Sequence, residues 1–406
     1  MRSGKVFAAM ALLLSAGLWL VRPERAGAQS VKVPMFEVDP FWPKPLPNNW
    51  ILGSAIGVWV DEDDVIWMVH RSSATLSAGE RAKELGTGDC CAGAPPVLAF
   101  DKEGNLLHAW GGKPGEDYQG AQWPESNHGI FVDHLGYVWL GGNGAGDAHV
   151  LKLTKDGKVA AQFGRAGARK APPGPAGQAL YIGNSHDSTS FGRVADISVD
   201  PETNEAYLAD GYLNRRVAVI DAETGKMKRF WGAYGNAPDD KYEFSARGPG
   251  FGDEPAAPQF RGPVHCADLS NDGLVYVCDR QSNRLQVFRK DGTFVKEAFF
   301  ARGSLGYGTT FDVAFSRDPE QRYLFLVDGQ NMKIRILLRE TLEELTNFGS
   351  GGRQPGQFYT PHSIALDSEG NVYTTETFEG KRIQKFVFKG EGPVTQREQG
   401  TIWPER

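Results

Sequence analysis

The sequence has no surplus of positive charge: 44 Lys and Arg stand against 50 Asp and Glu, for a formal net charge of -6. No basic surface is therefore available to hold nucleic acid or anionic lipid by charge. Cysteine is scarce, four in 406 residues, and no CxxC pair occurs, which argues against a thiolate zinc site. No Walker loop, Rossmann fingerprint, GxSxG elbow or HExxH motif appears in a fitting context. Sustained helical period is missing too, which argues against coiled coils and helix bundles. What is abundant is glycine. The 50 Gly and 24 Pro are spread along the chain without a collagen period, so turns are frequent, and many short strands are their natural cause.

The single long apolar run lies at the N-terminus. Arg2 and Lys5 precede Val6 to Val21, and Ala26-Gly27-Ala28 supplies the small-x-small pattern of a cleavage site. Residues 1–28 therefore read as a signal peptide, about 16 apolar residues being fewer than the ~20 that span a bilayer. The expectation is an exported chain, periplasmic or secreted, with no stable membrane span after cleavage. Such a compartment permits disulfides. Cys266 and Cys278 are placed to bridge neighbouring strands, whereas adjacent Cys90 and Cys91 strain any ring they close together, which leaves free thiols or other pairings open.

Self-comparison finds one phrase six times: GVWVDEDDVIWMVHR from Gly57, HGIFVDHLGYVWLGG from His128, ADISVDPETNEAYLADGY from Ala195, HCADLSNDGLVYVCDR from His265, FDVAFSRDPEQRYLFLVDG from Phe311 and HSIALDSEGNVYTTET from His362. Each is a strand, a turn and a second strand, and each runs on into a third strand such as RLQVFRKDGTF. A lone sheet of this kind cannot bury both faces, but a ring of sheets can. The predicted fold is all-β, a six-bladed β-propeller over residues 51–393. Residues 29–50 form an N-terminal extension whose segment Val33–Val38 is the candidate closing strand, and 394–406 form a tail. Insertions at 72–95, 167–190 and 235–259 are expected as loops over one mouth. The Gly-rich stretch at 141–147 reads as a turn, since it lacks the Lys and helix of a phosphate loop.

The repeat sets a register with marks at Ile56, His128, Ala195, His265, Phe311 and His362. Histidines occupy three of the six, in blades two, four and six, about 120° apart around a six-fold ring. Three imidazoles then converge on the axis and suit Zn2+ or another divalent transition metal with positions left open. His108 and His134 fall in outer-strand or turn contexts and are expected to be exposed. Asp210, Asp279, Asp328 and Glu376 also share one register, and that repetition marks them as structural acids.

These phrases resemble NHL repeats. Their order with the histidines resembles the peptidyl-α-hydroxyglycine α-amidating lyases, most strongly in NHGIFVDHLGYVWL, LADGYLNRRVAVID, CDRQSNRLQVF and TPHSIALDSEGNVY, over roughly residues 50–390. The resemblance implies that His128, His265 and His362 bind a catalytic zinc, that Tyr212 is the general base, and that Arg71 and Arg280 hold a substrate carboxylate. It implies a small carboxylated or peptide-derived substrate, and cleavage of a carbinolamide N–C bond to an amide and glyoxylate. The family's calcium ligand, an Asp directly after the third histidine, is Ser363 here, which removes that carboxylate from any Ca2+ site. Two other readings compete: a non-catalytic NHL-repeat propeller that binds a ligand or protein, and a metal-dependent lactonase or hydrolase, whose sites usually use a Glu, Asn and Asp cage.

Overall fold

The computed structural model describes Met1 and residues 31–174, 180–248 and 250–394. The segment read as a signal peptide and the tail beyond Val394 lie outside the described residues. Among the described residues no helix is long and apolar enough to cross a membrane.

Six four-stranded antiparallel sheets make up the fold. Blade one uses Ala55–Val60, Ile66–His70, Val97–Phe100 and Leu106–Trp110, counted from the channel outward. The innermost strands of the other blades are Asn127–Val132, Val194–Asp200, Val264–Leu269, Asp312–Phe315 and Pro361–Leu366. The outermost strand of blade six comes from the other end of the chain: Lys32–Asp39 pairs antiparallel with Arg382–Pro393, Phe36 opposite Phe388 and Val38 opposite Phe386. Ring closure thus joins the two ends of the chain by backbone hydrogen bonds.

Strand alternation explains why the ring forms. In Ile66–His70 the even side chains, Ile66 and Met68, enter a cluster shared with blade six, and the odd ones, Trp67 and Val69, enter a cluster shared with blade two. Val275 and Val277 likewise face blade three, while Tyr276 and Cys278 face blade five. Six apolar clusters result, one in each gap between neighbouring blades. The second and third strands of each blade therefore bury both faces, which an isolated sheet cannot do.

The repeated acids have two separate tasks. Asp61, Asp133 and Asp367 end their innermost strands and fold the next turn: Asp133 Oδ1 accepts the N–H groups of Leu135 and Tyr137, and Oδ2 accepts Trp139 Nε1 at 2.8 Å. Asp61 with Trp67 and Asp367 with Tyr373 repeat this bonding at the same spacing of six. At the ends of the second strands, Asp210, Asp279, Asp328 and Glu376 are buried against Arg216, Arg284, Arg335 and Arg382 at 2.8, 2.8, 2.6 and 2.5 Å. Three of these acids also accept backbone N–H groups of the segment entering their blade, from Gly192, Gly262 and Tyr359. They are structural, as repetition indicated. Blade one substitutes His70, whose Nδ1 accepts the N–H groups of Gly53 and Ser72 while Nε2 donates to the Pro95 carbonyl. Burial drives the His70 pKa down to about 4, so the ring is neutral and able to accept.

Cys266 and Cys278 form a disulfide between the two inner strands of blade four. Cys90 and Cys91 are also joined, to each other, against the expectation from ring strain. His108 and His134 are half-buried rather than exposed, and His108 stacks on Trp67 with ring centroids 5.2 Å apart.

Candidate metal centre at the channel mouth

Innermost strands begin, and outermost strands end, on one face of the ring. Insertions 167–190 and 235–259 link outermost to innermost strands and 72–95 links the second to the third strand of blade one, so all three emerge on that face. The register marks lie there too, at the first turn into the channel.

In blades one, two, three, four and six the ladder between the inner two strands slips by a residue at this point. A bulge re-aims a side chain that plain alternation would send into a blade face. It directs His128, His265 and His362 at the axis, where they are 1%, 3% and 5% exposed. Their ring centroids form a near-equilateral triangle with sides of 4.9, 4.9 and 4.8 Å, and their ligating nitrogens lie within 4.8 Å of one another.

The three marks without histidine complete the arrangement. His128 Nδ1 bonds the Ala195 carbonyl at 2.6 Å, His265 Nδ1 the Phe311 carbonyl at 2.5 Å, and His362 Nδ1 the Ile56 carbonyl at 2.8 Å. A carbonyl only accepts, so each Nδ1 carries the hydrogen and each neutral ring offers its Nε2 lone pair to the axis, as metal-ligating histidines do. Gly129 lets blade three approach this closely, since a Cβ there would sit 2.7 Å from the Ala195 carbonyl oxygen.

Electrostatics keep the rings neutral. Burial pushes the His128 and His265 pKa values well below the ordinary imidazole value, helped by His362 and Arg71 for the first and by Arg280 and His362 for the second. Burial, then Arg280 and Arg71, pushes His362 down to about 3. A divalent ion therefore meets no bound protons to displace. Zinc loading at pH 6 is expected to release close to none, whereas three ordinary imidazoles would release about two. Calorimetry in two buffers of different ionisation heat measures this, and a release of about two protons would contradict it.

The other residues singled out from the sequence gather around the same triangle. Gly211, where a Cβ would lie 2.1 Å from the Val264 carbonyl oxygen, brings the end of its strand against blade four. Next to it, Tyr212 places its hydroxyl 2.9 Å from His128 Nε2 and 3.1 Å from His265 Nε2. Arg280 Nη1 donates to the same oxygen at 2.9 Å, and its guanidinium lies 4.8 Å from the Phe311 ring centre. The arginine that serves the repeat in blade four is Arg284, bonded to Asp279, which leaves Arg280 to the mouth. Arg280 Nε is buried without a hydrogen-bond partner among the described residues. Arg71 donates to Asn143 Oδ1 at 2.9 Å and to the Asn127 carbonyl at 3.4 Å, and burial followed by the charge of Arg280 lowers its pKa. Two guanidinium groups thus face one small volume, neither bonded to a carboxylate in any of these contacts, a setting that attracts a carboxylate.

Asn143 is the mouth residue that sequence reasoning passed over. It follows the end of the second strand in blade two, as Arg71 and Arg280 do in blades one and four, so the repeat register held the signal. It lies in the Gly-rich stretch at 141–147, which is a turn held by Asp147 through the N–H groups of Glu125, Ser126 and Gly144.

An NHL-repeat family model matches residues 358–386. The chain is similar to NHL repeat-containing protein 3 of Mus musculus, 26% identical over 375 residues, which cover 87% of this chain and 84% of that protein. It is also similar to peptidyl-glycine alpha-amidating monooxygenase B of Xenopus laevis, 31% identical over 42% of this chain, and to peptidylglycine alpha-amidating monooxygenase of Rattus norvegicus, 28% identical over 50% of it. It spans only 16% and 19% of those two proteins' lengths. Among solved structures, a streptogramin B lyase superposes with a TM-score of 0.49 at 13% identity, covering 87% of this chain and 98% of that one. The protein is an all-β, six-bladed propeller that carries an NHL repeat, with distant similarity to the amidating monooxygenases.

Proposed function

We propose that the protein is an exported, metal-dependent carbon–nitrogen lyase of the amidating-lyase kind. It would cleave the carbinolamide of a small carboxylated or peptide-derived substrate into an amide and glyoxylate. The observation that carries this reading is the meeting, at one channel mouth, of three Nε2 lone pairs, one phenol and two guanidinium groups. A divalent ion held by His128, His265 and His362 would polarise the substrate oxygen and stabilise charge on it.

The remaining work falls to side chains. Arg71 and Arg280 hold the substrate carboxylate by charge-assisted hydrogen bonds. That places the neighbouring hydroxyl beside the Tyr212 oxygen, which takes its proton as general base. The O–H electron pair becomes the second bond of the aldehyde, the C–N pair leaves with nitrogen, and nitrogen gains a proton. One carbinolamide gives one amide and one glyoxylate, with no oxidant and no water consumed. The Cys266–Cys278 disulfide supports export, since such bonds persist in oxidising compartments.

The test is to incubate the metal-loaded protein with an α-hydroxyglycine-extended peptide and to quantify amide and glyoxylate. Equal amounts of both are expected. An analogue lacking the carboxylate should lose roughly 10- to 150-fold in kcat/KM, the value of one or more hydrogen bonds to a charged group. A peptide recovered intact, with no glyoxylate above buffer, would contradict the lyase reading.

A further inference from the structure

Each blade brings one residue to the channel mouth at a position one or two residues past the end of its second strand. In blades one to four these are Arg71, Asn143, Tyr212 and Arg280, all polar, and in blades five and six they are Gln330 and Phe378. Gln330 is engaged by the fold, because its Oε1 accepts the N–H of Tyr307 at 2.8 Å. What the last two blades present is a pair of rings: Tyr307 and Phe378 stack with centroids 4.8 Å apart and planes 28° from parallel.

Both ends of this plate are fixed beside the mouth arginines. Gly308, at φ +89°, lies so close to blade four that a Cβ there would sit 2.0 Å from the Arg280 carbonyl oxygen. On the other side of Tyr307, the Ser304 and Gly306 carbonyls accept Arg247 Nη2 and Nη1 at 2.9 and 2.6 Å. The Phe378 carbonyl accepts the Ser54 hydroxyl at 2.9 Å, and the Ser54 carbonyl accepts the Arg71 N–H at 3.0 Å. The rings thus line the arc of the mouth that runs from Arg280 through blades five and six to Arg71. They are held there with apolar faces in water, Tyr307 48% and Phe378 39% exposed, a surface that marks a contact for a ligand when it borders a site. Phe378 also holds φ +50°, the left-handed region that a bulky side chain rarely adopts and that gathers at ligand sites.

Resting on the lyase reading above, we propose that Tyr307 and Phe378 form the subsite for the residue that precedes the hydroxyglycine, and that they select an aromatic side chain there. In that reading the carboxylate lies between Arg71 and Arg280 and the hydroxyl lies beside Tyr212 on blade three. The rest of the peptide then leaves over blades five and six. The preceding Cα is about 3.8 Å along the chain, which brings its side chain onto the rim where the two rings stand. A third ring stacks on the plate and covers its exposed faces. A methyl group covers little of it, and a carboxylate gives up water to an apolar surface for no hydrogen bond in return.

The experiment compares three α-hydroxyglycine-extended peptides on the metal-loaded full chain, alike except for Phe, Ala or Glu before the hydroxyglycine. In wild type, kcat/KM for the Phe peptide is expected to exceed that for the Ala peptide by ~10-fold, with the Glu peptide lower still. Phe378→Gly deletes one ring and frees its backbone from the left-handed strain, and Tyr307→Ala deletes the other from a different blade. Each should bring the Phe-to-Ala ratio below about threefold, whereas Tyr307→Phe should keep it. Rings that only support the fold would, when removed, lower both rates by one factor and leave the ratio as it was. Calorimetry with the unreactive peptides that end in Phe-Gly and Ala-Gly reads the same preference as a ratio of Kd values, without turnover. The proposal is overturned if wild type prefers Phe by less than about threefold in binding, or if Phe378→Gly and Tyr307→Ala keep the wild-type ratio. A chain that prefers the Phe-Gly peptide through these two rings yet cleaves no peptide would contradict the lyase reading and leave the aromatic subsite standing.

Discussion

Replacing His265 with alanine is expected to leave the purified protein with almost no bound transition metal. Turnover of an α-hydroxyglycine peptide should fall by ~10³-fold or more, the several kcal/mol that a Lewis-acidic ion supplies to a developing oxyanion. The reason is geometric. The three rings form one triangle, each locked by its Nδ1 bond to a carbonyl of the next blade, so two rings cannot close in to replace a third. The fold should persist, because His265 points into the channel and lies outside the clusters that join the blades. His108→Ala is the matching control. That ring stacks on Trp67 away from the channel, so its loss should lower stability and leave metal content and turnover in place. Metal analysis beside initial rates of glyoxylate release checks both variants, and a full complement of metal in His265→Ala would remove the histidines from the ligand set.

Tyr212→Phe should act on a different step. The ring stays packed against His128 and His265, with centroids 4.9 and 5.7 Å away, and only the oxygen that bonds Arg280 and the two Nε2 atoms is lost. With the ligands untouched, metal content should match wild type. With the base gone, kcat should fall by ~10²- to 10⁴-fold. KM should change little, since Arg71 and Arg280 still receive the carboxylate. Rapid-quench measurement of the single-turnover rate isolates the step, and a variant that turns over at the wild-type rate would reduce Tyr212 to packing.

Much of this was legible in the chain itself because the repeat does two jobs at once. The Asp-turn-aromatic spacing that reads as a phrase is the physical bond between Asp133 and Trp139 and its counterparts. Alternating apolar residues in every strand record the two buried faces. The same phrase aligned His128, His265 and His362, and it placed Tyr212, Arg71 and Arg280 at strand ends on one face. What stayed hidden follows from the bulges. Once the ladder slips at the first turn, alternation no longer tells which side chains face the axis, so the acids Asp196 and Asp312, one residue after their marks, and Asp268, three after its mark, were not separable from the other strand acids. The second ring of contacts was hidden for another reason: the carbonyls of Ile56, Ala195 and Phe311 are backbone atoms, and no residue type announces them. Asn143 was missed because its Gly-rich surroundings drew attention to the turn instead of to the register.

The central claim is that three imidazoles grip one divalent ion at the channel mouth. X-ray absorption at the zinc edge, on protein loaded with a single equivalent of zinc, tests it most directly. Three imidazole nitrogens at ~2.0–2.1 Å, completed by a light oxygen or nitrogen scatterer, are expected. A shell with fewer than three imidazoles, or one built of carboxylate oxygen alone, would contradict it.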